Sequence, residues 1–295
     1  MDTDQLNRMA SDRGFVAALD QSGGSTPGAL SRYGIEPESY AGDDEMFELM
    51  HAFRTRIITS SAFTGEKILA AILFEQTMDR EIDDIAVPDF LWHVKGVVPF
   101  LKVDRGLAEA ADGVRLMKPM PDLDALLHRA LDRHVFGTKM RSLVQAADPS
   151  GVAAVLDQQF EIGTQILAAG LMPILEPEVD IRASDKAEAE ALVTEGILSR
   201  LASLPQGARV MLKLTIPSRA NLYADLIEHP AVLRVVALSG GYSREESNGL
   251  LAQNHGLIAS FSRALTEGLR VDMSDAAFDA ALAASIGSIY EASDT

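Results

Sequence analysis

The feature that most constrains the fold is a series of eight short apolar segments spread along the 295-residue chain. Each is rich in Val, Ile, Leu and Phe, and helical patterns separate most of them. Near-continuous hydrophobicity is typical of strands buried on both faces, as in a parallel sheet. The predicted strands are 15–20, 68–74, 97–104, 134–141, 171–178, 208–216, 233–240 and 256–263.

The segments between these strands predict helices. Residues 151–170 repeat apolar residues at three- and four-residue steps, and 184–203 follows Ser184, a capping type of residue. Residues 274–289 begin with a Ser-Asp pair that suits an N-cap and a first-turn acid.

Eight alternating strands and helices predict an α/β protein, a (β/α)8 TIM barrel, for which about 250 residues is typical. The alternative, a doubly wound sheet, usually has a glycine fingerprint after the first strand, and DQSGGSTPG lacks that spacing. We expect one domain over 1–295, with 1–14 as an N-terminal lead-in and 274–295 as a C-terminal helix and tail.

Composition excludes several classes of protein. A net charge of −17 argues against nucleic acid and anionic membranes as partners, because both require clustered basic surface. Zero cysteines exclude disulfides, thiolate metal sites and a cysteine nucleophile. No apolar segment is long enough to span a membrane and the N-terminus has no secretory pattern, so we expect a cytoplasmic protein. Association into a homo-oligomer stays open.

Active sites of such barrels lie at the C-terminal ends of the strands, where this chain has many charged residues. Lys213 is the most informative, because burial on an apolar strand disfavours the charged amine and the neutral amine is a nucleophile towards carbonyls. The other candidates at strand ends are Asp20, Lys102, Lys139, Arg141, Glu176, Glu178, Ser239 and Arg263. Glu75 and Asp104 occupy similar places and are interpreted as structural.

Two places favour anions. Ser239, Gly240 and Gly241 lie just before a predicted helix start, where backbone amides bind phosphate, and Arg263 ends the next strand. A second Ser/Gly cluster runs from Ser22 to Ser25, with Lys102 as a further cation. Two separate anion sites suggest a substrate with a phosphate at each end. The six histidines show no metal-ligand spacing, so no metal is expected. An iminium formed by Lys213 would itself be the electron sink, so no organic cofactor is required.

The motifs AALDQSGGS, FLKVDRG, GTKMRS, PILEPE, LKLTIPS, LSGGYSREES and ASFSRAL resemble, in order, those of class I fructose-bisphosphate aldolases of the short bacterial type. The resemblance spans residues 15 to about 265. It implies cleavage of fructose 1,6-bisphosphate to dihydroxyacetone phosphate and glyceraldehyde 3-phosphate through a lysine Schiff base.

The resemblance also implies roles for single residues. Lys213 would be the Schiff-base lysine, Glu176 the general acid/base and Asp20 the group that polarises the C4 hydroxyl. Lys139 would hold the electrostatics of the site as a close cationic neighbour of Lys213, and Glu178 would support the lysines. Ser239, Gly240, Gly241 and Arg263 would bind the ketone-side phosphate; Ser22, Ser25 and Lys102 would bind the aldehyde-side phosphate, with Arg141 nearby.

The chain departs from the family at Ser262, where a glycine is expected, and at Met140, where a tryptophan is usual. Two other functions stay open: a different lysine-dependent phosphosugar aldolase or transaldolase, and a catalytically silent barrel that binds phosphosugars.

Overall fold

The eight apolar segments form eight parallel strands that close into a barrel in a computed structural model, which describes residues 1–295. Each strand pairs with the next one along the chain, and the last returns to the first in the register Val16 to Ser260. The barrel prediction is therefore confirmed, and the doubly wound alternative was wrong. The strands are β1 (Phe15–Leu19), β2 (Ile68–Leu73), β3 (Val98–Lys102), β4 (Gly137–Val144), β5 (Met172–Val179), β6 (Val210–Thr215), β7 (Val232–Leu238) and β8 (Ile258–Phe261).

The fourth strand lies further along the chain than predicted. We expected 134–141, whereas β4 runs from Gly137 to Val144. Its second half continues past the barrel and pairs with the short antiparallel strand Val114–Arg115, in the register Val144 to Val114. Backbone pairing outside the barrel thus extends the strand beyond the residues that its apolar pattern marks. A separate two-stranded hairpin joins Glu81–Ile82 to Ile85–Ala86.

Helices cover the outside of the barrel. The helix predicted at 184–203 begins at Lys186, preceded by Asp185 rather than by Ser184. Asp185 is fixed there because its carboxylate accepts a hydrogen bond from the Ala147 N–H at 2.8 Å. No helix combines the length and apolarity needed to cross a membrane. The helices are α1 (Thr3–Ser11), α2 (Thr26–Tyr33), α3 (Gly42–Thr59), α4 (Glu75–Met78), α5 (Val87–Asp89, continuing as a π-helix over Phe90–Val94), α6 (Leu123–Asp132), α7 (Pro149–Ala168), α8 (Lys186–Leu201), α9 (Ala224–Ile227), α10 (Arg244–Leu251), α11 (Arg263–Thr266) and α12 (Asp275–Ala292), with a 3₁₀ turn at Pro37–Ser39.

Two apolar layers form the core. The larger lies between the sheet and the helices, and the smaller fills the barrel interior. Interior residues recur every second position along a strand, because alternate side chains share a face. Val16 and Ala18 are interior residues of β1, for example, and Val98 and Phe100 are interior residues of β3. The next residues in these two series are Asp20 and Lys102, so the polar site continues the inward face of the apolar core.

The N-terminal end of the barrel is covered by α1. Met9 is fully buried and belongs to the interior cluster. Arg8 donates hydrogen bonds to the carbonyls of Gly65 and Ile68, and Arg234 donates to the Met9 carbonyl at 2.9 Å. The segment before the first strand therefore contributes to the core.

The start of β4 depends on Gly137. A Cβ atom there would lie 2.5 Å from the Phe100 ring and would also meet the Met172 carbonyl oxygen. We expect Gly137→Ala to lower the free energy of unfolding by about 1–3 kcal/mol, since neither neighbour can move without disturbing the barrel. The matched control is Gly249→Ala in α10, where no atom lies within 4 Å and alanine is expected to stabilise the helix by about 0.5–1 kcal/mol. Urea unfolding of the two variants checks both signs.

Candidate active site

A cavity of about 970 Å³ opens at the C-terminal end of the barrel. All eight strands, or the residues that directly follow them, contribute to its walls. Every residue that the sequence singled out lines this cavity except Gly241, which lies one residue outside its wall. The parallel arrangement thus brings together side chains that are nearly 250 positions apart along the chain.

Four charged side chains form a chain of ion pairs at the centre of the cavity. Lys139 Nζ lies 2.6 Å from Asp20 Oδ2 and 2.9 Å from Glu176 Oε2. The other oxygen of Glu176, Oε1, lies 3.1 Å from Lys213 Nζ. All four residues are at most 9% exposed. Buried charges of this kind are tolerated only when they are paired, and here each charge contacts at least one of the opposite sign.

The ion pairs fix the charge state of Asp20 and Lys139. Burial alone would raise the pKa of Asp20, but the nearby charges of Lys139, Lys213 and Lys102 outweigh it and hold that pKa well below its usual value. Burial alone would lower the pKa of Lys139, but the carboxylates of Asp20 and Glu176 outweigh it and raise that pKa well above its usual value. Asp20 is therefore an anion and Lys139 a cation throughout the neutral range.

The arrangement refines the expectation that Lys139 acts on Lys213 as a close cationic neighbour. The Glu176 carboxylate lies between the two ammonium groups, with one oxygen on each. The charge of Lys139 is also shared with Asp20. What Lys213 contacts directly is an anion that can accept a proton.

The resemblance implied that Glu178 supports the lysines, but Glu178 contacts neither Lys139 nor Lys213. Its Oε2 accepts a hydrogen bond from Arg141 Nε at 2.5 Å. Burial alone would lower the pKa of Arg141, but Glu178 outweighs it and raises that pKa well above its usual value. In the strand register Arg141 lies opposite Glu176. Its side chain therefore reaches outward by one two-residue step along β5 to meet Glu178.

Lys102 is held by Asp104, which the sequence interpretation had set aside as structural. Lys102 Nζ donates to the Asp104 carbonyl and to its carboxylate, both at 2.7 Å. The second carboxylate oxygen accepts from the Arg141 N–H at 3.2 Å, which joins β3 to β4. The spacing of two residues between Lys102 and Asp104 was a signal for this pair. Glu75 also lines the cavity, where it binds Arg105 and Arg129.

The loop between β7 and α10 brings two glycines against Arg263. Gly240 and Gly241 have φ values of 61° and 125°, which L side chains rarely adopt. A Cβ on Gly240 would lie 2.5 Å from Ile181, and one on Gly241 would lie 3.2 Å from the Arg263 guanidinium. Ser239 is buried beside them, while Arg263 is exposed and has no carboxylate partner. These residues leave backbone N–H groups and a free cation at one end of the cavity.

The serines after β1 form a tight turn at the cavity wall. Ser25 Oγ accepts a hydrogen bond from the Ser22 N–H at 3.1 Å and donates to the Ser22 carbonyl. Ser22 is half-buried and Ser25 is exposed. Gln21, which the sequence interpretation missed, joins this turn to the end of β8 by a hydrogen bond to Ser262.

The walls of the cavity are far more basic than the chain as a whole. Nine of the 26 lysines and arginines line it, against five of the 43 carboxylates. Four of these cations lie outside the eight barrel strands and carry no strand-end signal in the sequence: Arg32, Arg105, Arg115 and Lys118. The cations of the cavity are Arg32, Lys102, Arg105, Arg115, Lys118, Lys139, Arg141, Lys213 and Arg263, and the carboxylates are Asp20, Glu75, Asp104, Glu176 and Glu178.

Comparisons with known proteins give the family and agree with this fold. A sequence model of the family described as fructose-bisphosphate aldolase class-I matches residues 8–222. A curated relative from Synechocystis sp., named fructose-bisphosphate aldolase class 1, is 60% identical over 292 residues, which are 99% of this chain and 97% of that protein. The solved fructose-bisphosphate aldolase of Plasmodium falciparum, in complex with TRAP and an inhibitor, is similar with a TM-score of 0.74 at 20% identity, covering 99% of this chain and 96% of that one. This last likeness concerns the fold alone.

The lowered pKa of Asp20 has a consequence for acid stability. Because that pKa is below the ordinary value of 3.8, ionised Asp20 stabilises the fold above pH 3.8, and this contribution is lost as the pH falls below it. We expect Asp20→Asn to lower the free energy of unfolding at pH 7 by about 3 kcal/mol, and to make the further loss between pH 5 and 3 smaller than in the parent. Urea unfolding across this range is the measurement.

The control is Asp272→Asn, which changes an exposed carboxylate that makes no ion pair or side-chain hydrogen bond. It should leave the pH profile as in the parent. An Asp20→Asn profile parallel to that of the parent would contradict the assigned charge state.

Proposed function

The chain belongs to the class-I fructose-bisphosphate aldolase family, and on that premise we propose that Lys213 forms the Schiff base through which it cleaves fructose 1,6-bisphosphate. The products are dihydroxyacetone phosphate and glyceraldehyde 3-phosphate, and the reaction is reversible. One observation carries the residue assignment: Lys213 Nζ lies 3.1 Å from Glu176 Oε1 inside a cavity lined by cations. Of the other buried lysines of the cavity, Lys139 contacts two carboxylates, and Lys102 is bound by both the carboxylate and the carbonyl of Asp104.

The first step is the addition of Lys213 to the C2 ketone of the substrate. Transfer of one proton from Nζ to Glu176 Oε1 leaves a neutral amine, which attacks the carbonyl carbon, and a neutral carboxyl group. The resulting carbinolamine takes this proton on its hydroxyl and loses water, which forms the C=N bond of the iminium. The distance of 3.1 Å between Lys213 Nζ and Glu176 Oε1 supports Glu176 as the residue that accepts and returns this proton, since proton transfer requires a hydrogen-bond distance.

Carbon–carbon cleavage requires a base at the C4 hydroxyl. We assign this role to Asp20, whose lowered pKa keeps it ionised and whose position beside Lys139 faces the same space. Removal of the hydroxyl proton forms the aldehyde as the C3–C4 bond breaks, and the bonding electrons move into the iminium to give an enamine. Protonation of the enamine at C3 and hydrolysis then release dihydroxyacetone phosphate and restore Lys213.

Lys139 supports both steps through its charge. As a cation between Asp20 and Glu176, it keeps the two carboxylates at a fixed separation while each gains or loses a proton. A preorganised charge of this kind is effective because it needs no reorientation during the reaction. Glu178 acts at one remove, by holding Arg141.

The two phosphates are assigned to the two ends of the cavity. Ser239, Gly240, Gly241 and Arg263 supply N–H groups, a hydroxyl and a guanidinium for the ketone-side phosphate. Ser22, Ser25, Lys102 and Arg141 lie on the side assigned to the aldehyde-side phosphate. Cations at both ends favour a bisphosphate substrate over the single phosphate of a transaldolase substrate.

We also propose that residues 1–295 act as one domain in the cytoplasm. The burial of Met9 in the barrel interior supports the inclusion of the N-terminal segment. The cytoplasmic location is supported by the family, whose members are small-molecule lyases, and is consistent with a sequence that contains no cysteine.

Borohydride reduction tests the proposed function directly. The protein is incubated with dihydroxyacetone phosphate in EDTA and reduced, and its peptides are mapped by mass. We expect one stable adduct, on Lys213, and none in Lys213→Ala. An adduct on another residue would overturn the assignment of Lys213. Cleavage of fructose 1,6-bisphosphate that EDTA abolishes would indicate a metal-dependent enzyme. The absence of both an adduct and cleavage would favour a silent binding barrel.

Arg263→Ala separates binding from chemistry. We expect the KM for fructose 1,6-bisphosphate to rise roughly 10- to 100-fold, the worth of a hydrogen-bonded ionic contact, because Arg263 contacts phosphate in ground state and transition state alike. The kcat should stay within about threefold of the parent, since such uniform binding does not act on the chemical step. Steady-state kinetics gives both constants, and a fall in kcat with unchanged KM would contradict the assignment.

A further inference from the structure

Arg54 is a buried cation that the proposed mechanism does not use. It lies on α3, is 1% exposed and is among the largest side chains that the fold buries completely. Nη1 donates to Thr77 Oγ1 at 2.7 Å, and Nη2 donates to the Gln21 carbonyl at 2.5 Å. No carboxylate contacts it, and burial lowers its pKa to about 9 although Asp20 opposes the shift. A guanidinium buried without an anionic partner is costly, which indicates a role beyond packing.

Arg54 fixes the orientation of the Gln21 side chain. Nη2 also lies 3.2 Å from Gln21 Oε1, and because a guanidinium can only donate, the atom that faces it must be the amide oxygen. The amide nitrogen then points the other way and donates to Ser262 Oγ at 2.7 Å. A chain of hydrogen bonds therefore runs from α3, through the residue after Asp20, to the residue before Arg263.

This series of hydrogen bonds leaves the proton of the Ser262 hydroxyl free. Ser262 Oγ accepts from Gln21, so its single O–H cannot be used in that bond. Ser262 is the N-cap residue of α11, where a serine side chain commonly accepts from a backbone N–H, but here it makes no such bond. No protein atom accepts its proton, and the residue lines the cavity beside Arg263.

We propose that Ser262 is a further substrate-binding residue, whose hydroxyl donates to the ketone-side phosphate and is oriented by Arg54 acting through Gln21. The inference rests on the proposed function, which places that phosphate at Ser239, Gly240 and Arg263. A glycine at position 262, as the family resemblance predicts, would offer the phosphate its backbone N–H alone. Ser262 adds a donor, and Gln21 and Arg54 are the positioning residues that keep it available.

The first test compares a ligand with the phosphate and one without it. Borohydride trapping is measured against the concentration of dihydroxyacetone phosphate and, separately, of dihydroxyacetone. We expect Ser262→Ala to raise the half-saturating concentration of dihydroxyacetone phosphate roughly tenfold, the worth of one hydrogen bond to a charged group in an open site. That of dihydroxyacetone, which has no phosphate, should be unchanged. The matched control is Ser199→Ala, on the exposed side of α8, which should change neither value.

The second test asks whether Gln21 and Arg54 act through Ser262. Gln21→Leu and Arg54→Lys should each raise the half-saturating concentration of dihydroxyacetone phosphate in the parent. In the Ser262→Ala background neither should raise it further, because the hydroxyl they orient is gone. Urea unfolding of each variant separates this effect from lost stability, and only variants that are folded at the assay temperature enter the comparison. Lysine is chosen at position 54 because it keeps the buried positive charge.

Two results would overturn the inference. One is a Ser262→Ala variant that binds dihydroxyacetone phosphate as the parent does, and the other is equal losses from Gln21→Leu in the two backgrounds. In either case an adduct on Lys213 would leave the proposed function intact. The loss of all trapping in the parent would instead contradict the proposed function itself.

Discussion

The site depends on the buried chain of alternating charges that runs from Asp20 through Lys139 and Glu176 to Lys213. Each contact in it is 2.6–3.1 Å long, and the two carboxylates balance the two ammonium groups. Without this balance, the apolar barrel interior directly below could not hold four charges at its edge. The same pairing permits proton transfer from Lys213, because a carboxylate oxygen lies within hydrogen-bond distance. The transfer leaves the net charge of the site unchanged.

The protein has a strongly acidic composition and a phosphate-binding site, and it keeps most of its carboxylates away from that site. Its net charge is −17, yet cations outnumber carboxylates in the cavity. Inside the cavity the inner cations are paired, as Lys102 is with Asp104 and Arg141 with Glu178. Arg263 has no carboxylate partner. Arg263 therefore offers a phosphate a cation that no carboxylate neutralises, while the paired charges hold the catalytic groups in place.

Most of the barrel and the centre of its site could be predicted from the sequence, because both follow from a two-residue period. The apolar residues at 16 and 18 continue to Asp20, and those at 98 and 100 continue to Lys102, so pattern alone places these charges inside the barrel. Contacts between strands could not be predicted in this way. The position of Glu176 between two lysines, the pairing of Glu178 with Arg141, and the hydrogen bond of Gln21 to Ser262 depend on side-chain reach across strands. Arg54 gave no signal, since an arginine within a helix pattern ordinarily indicates an exposed face.

The central claim is that Lys139 and Glu176 form one charge-balanced unit, and a double-mutant cycle of unfolding free energies tests it most directly. Lys139→Met and Glu176→Gln each leave the buried cluster with an uncompensated charge, whereas the double variant restores balance between Asp20 and Lys213. The account predicts that the double variant is more stable than the sum of the two single losses by at least about 1 kcal/mol. Losses that add to within about 0.5 kcal/mol would show two independent residues and would contradict it.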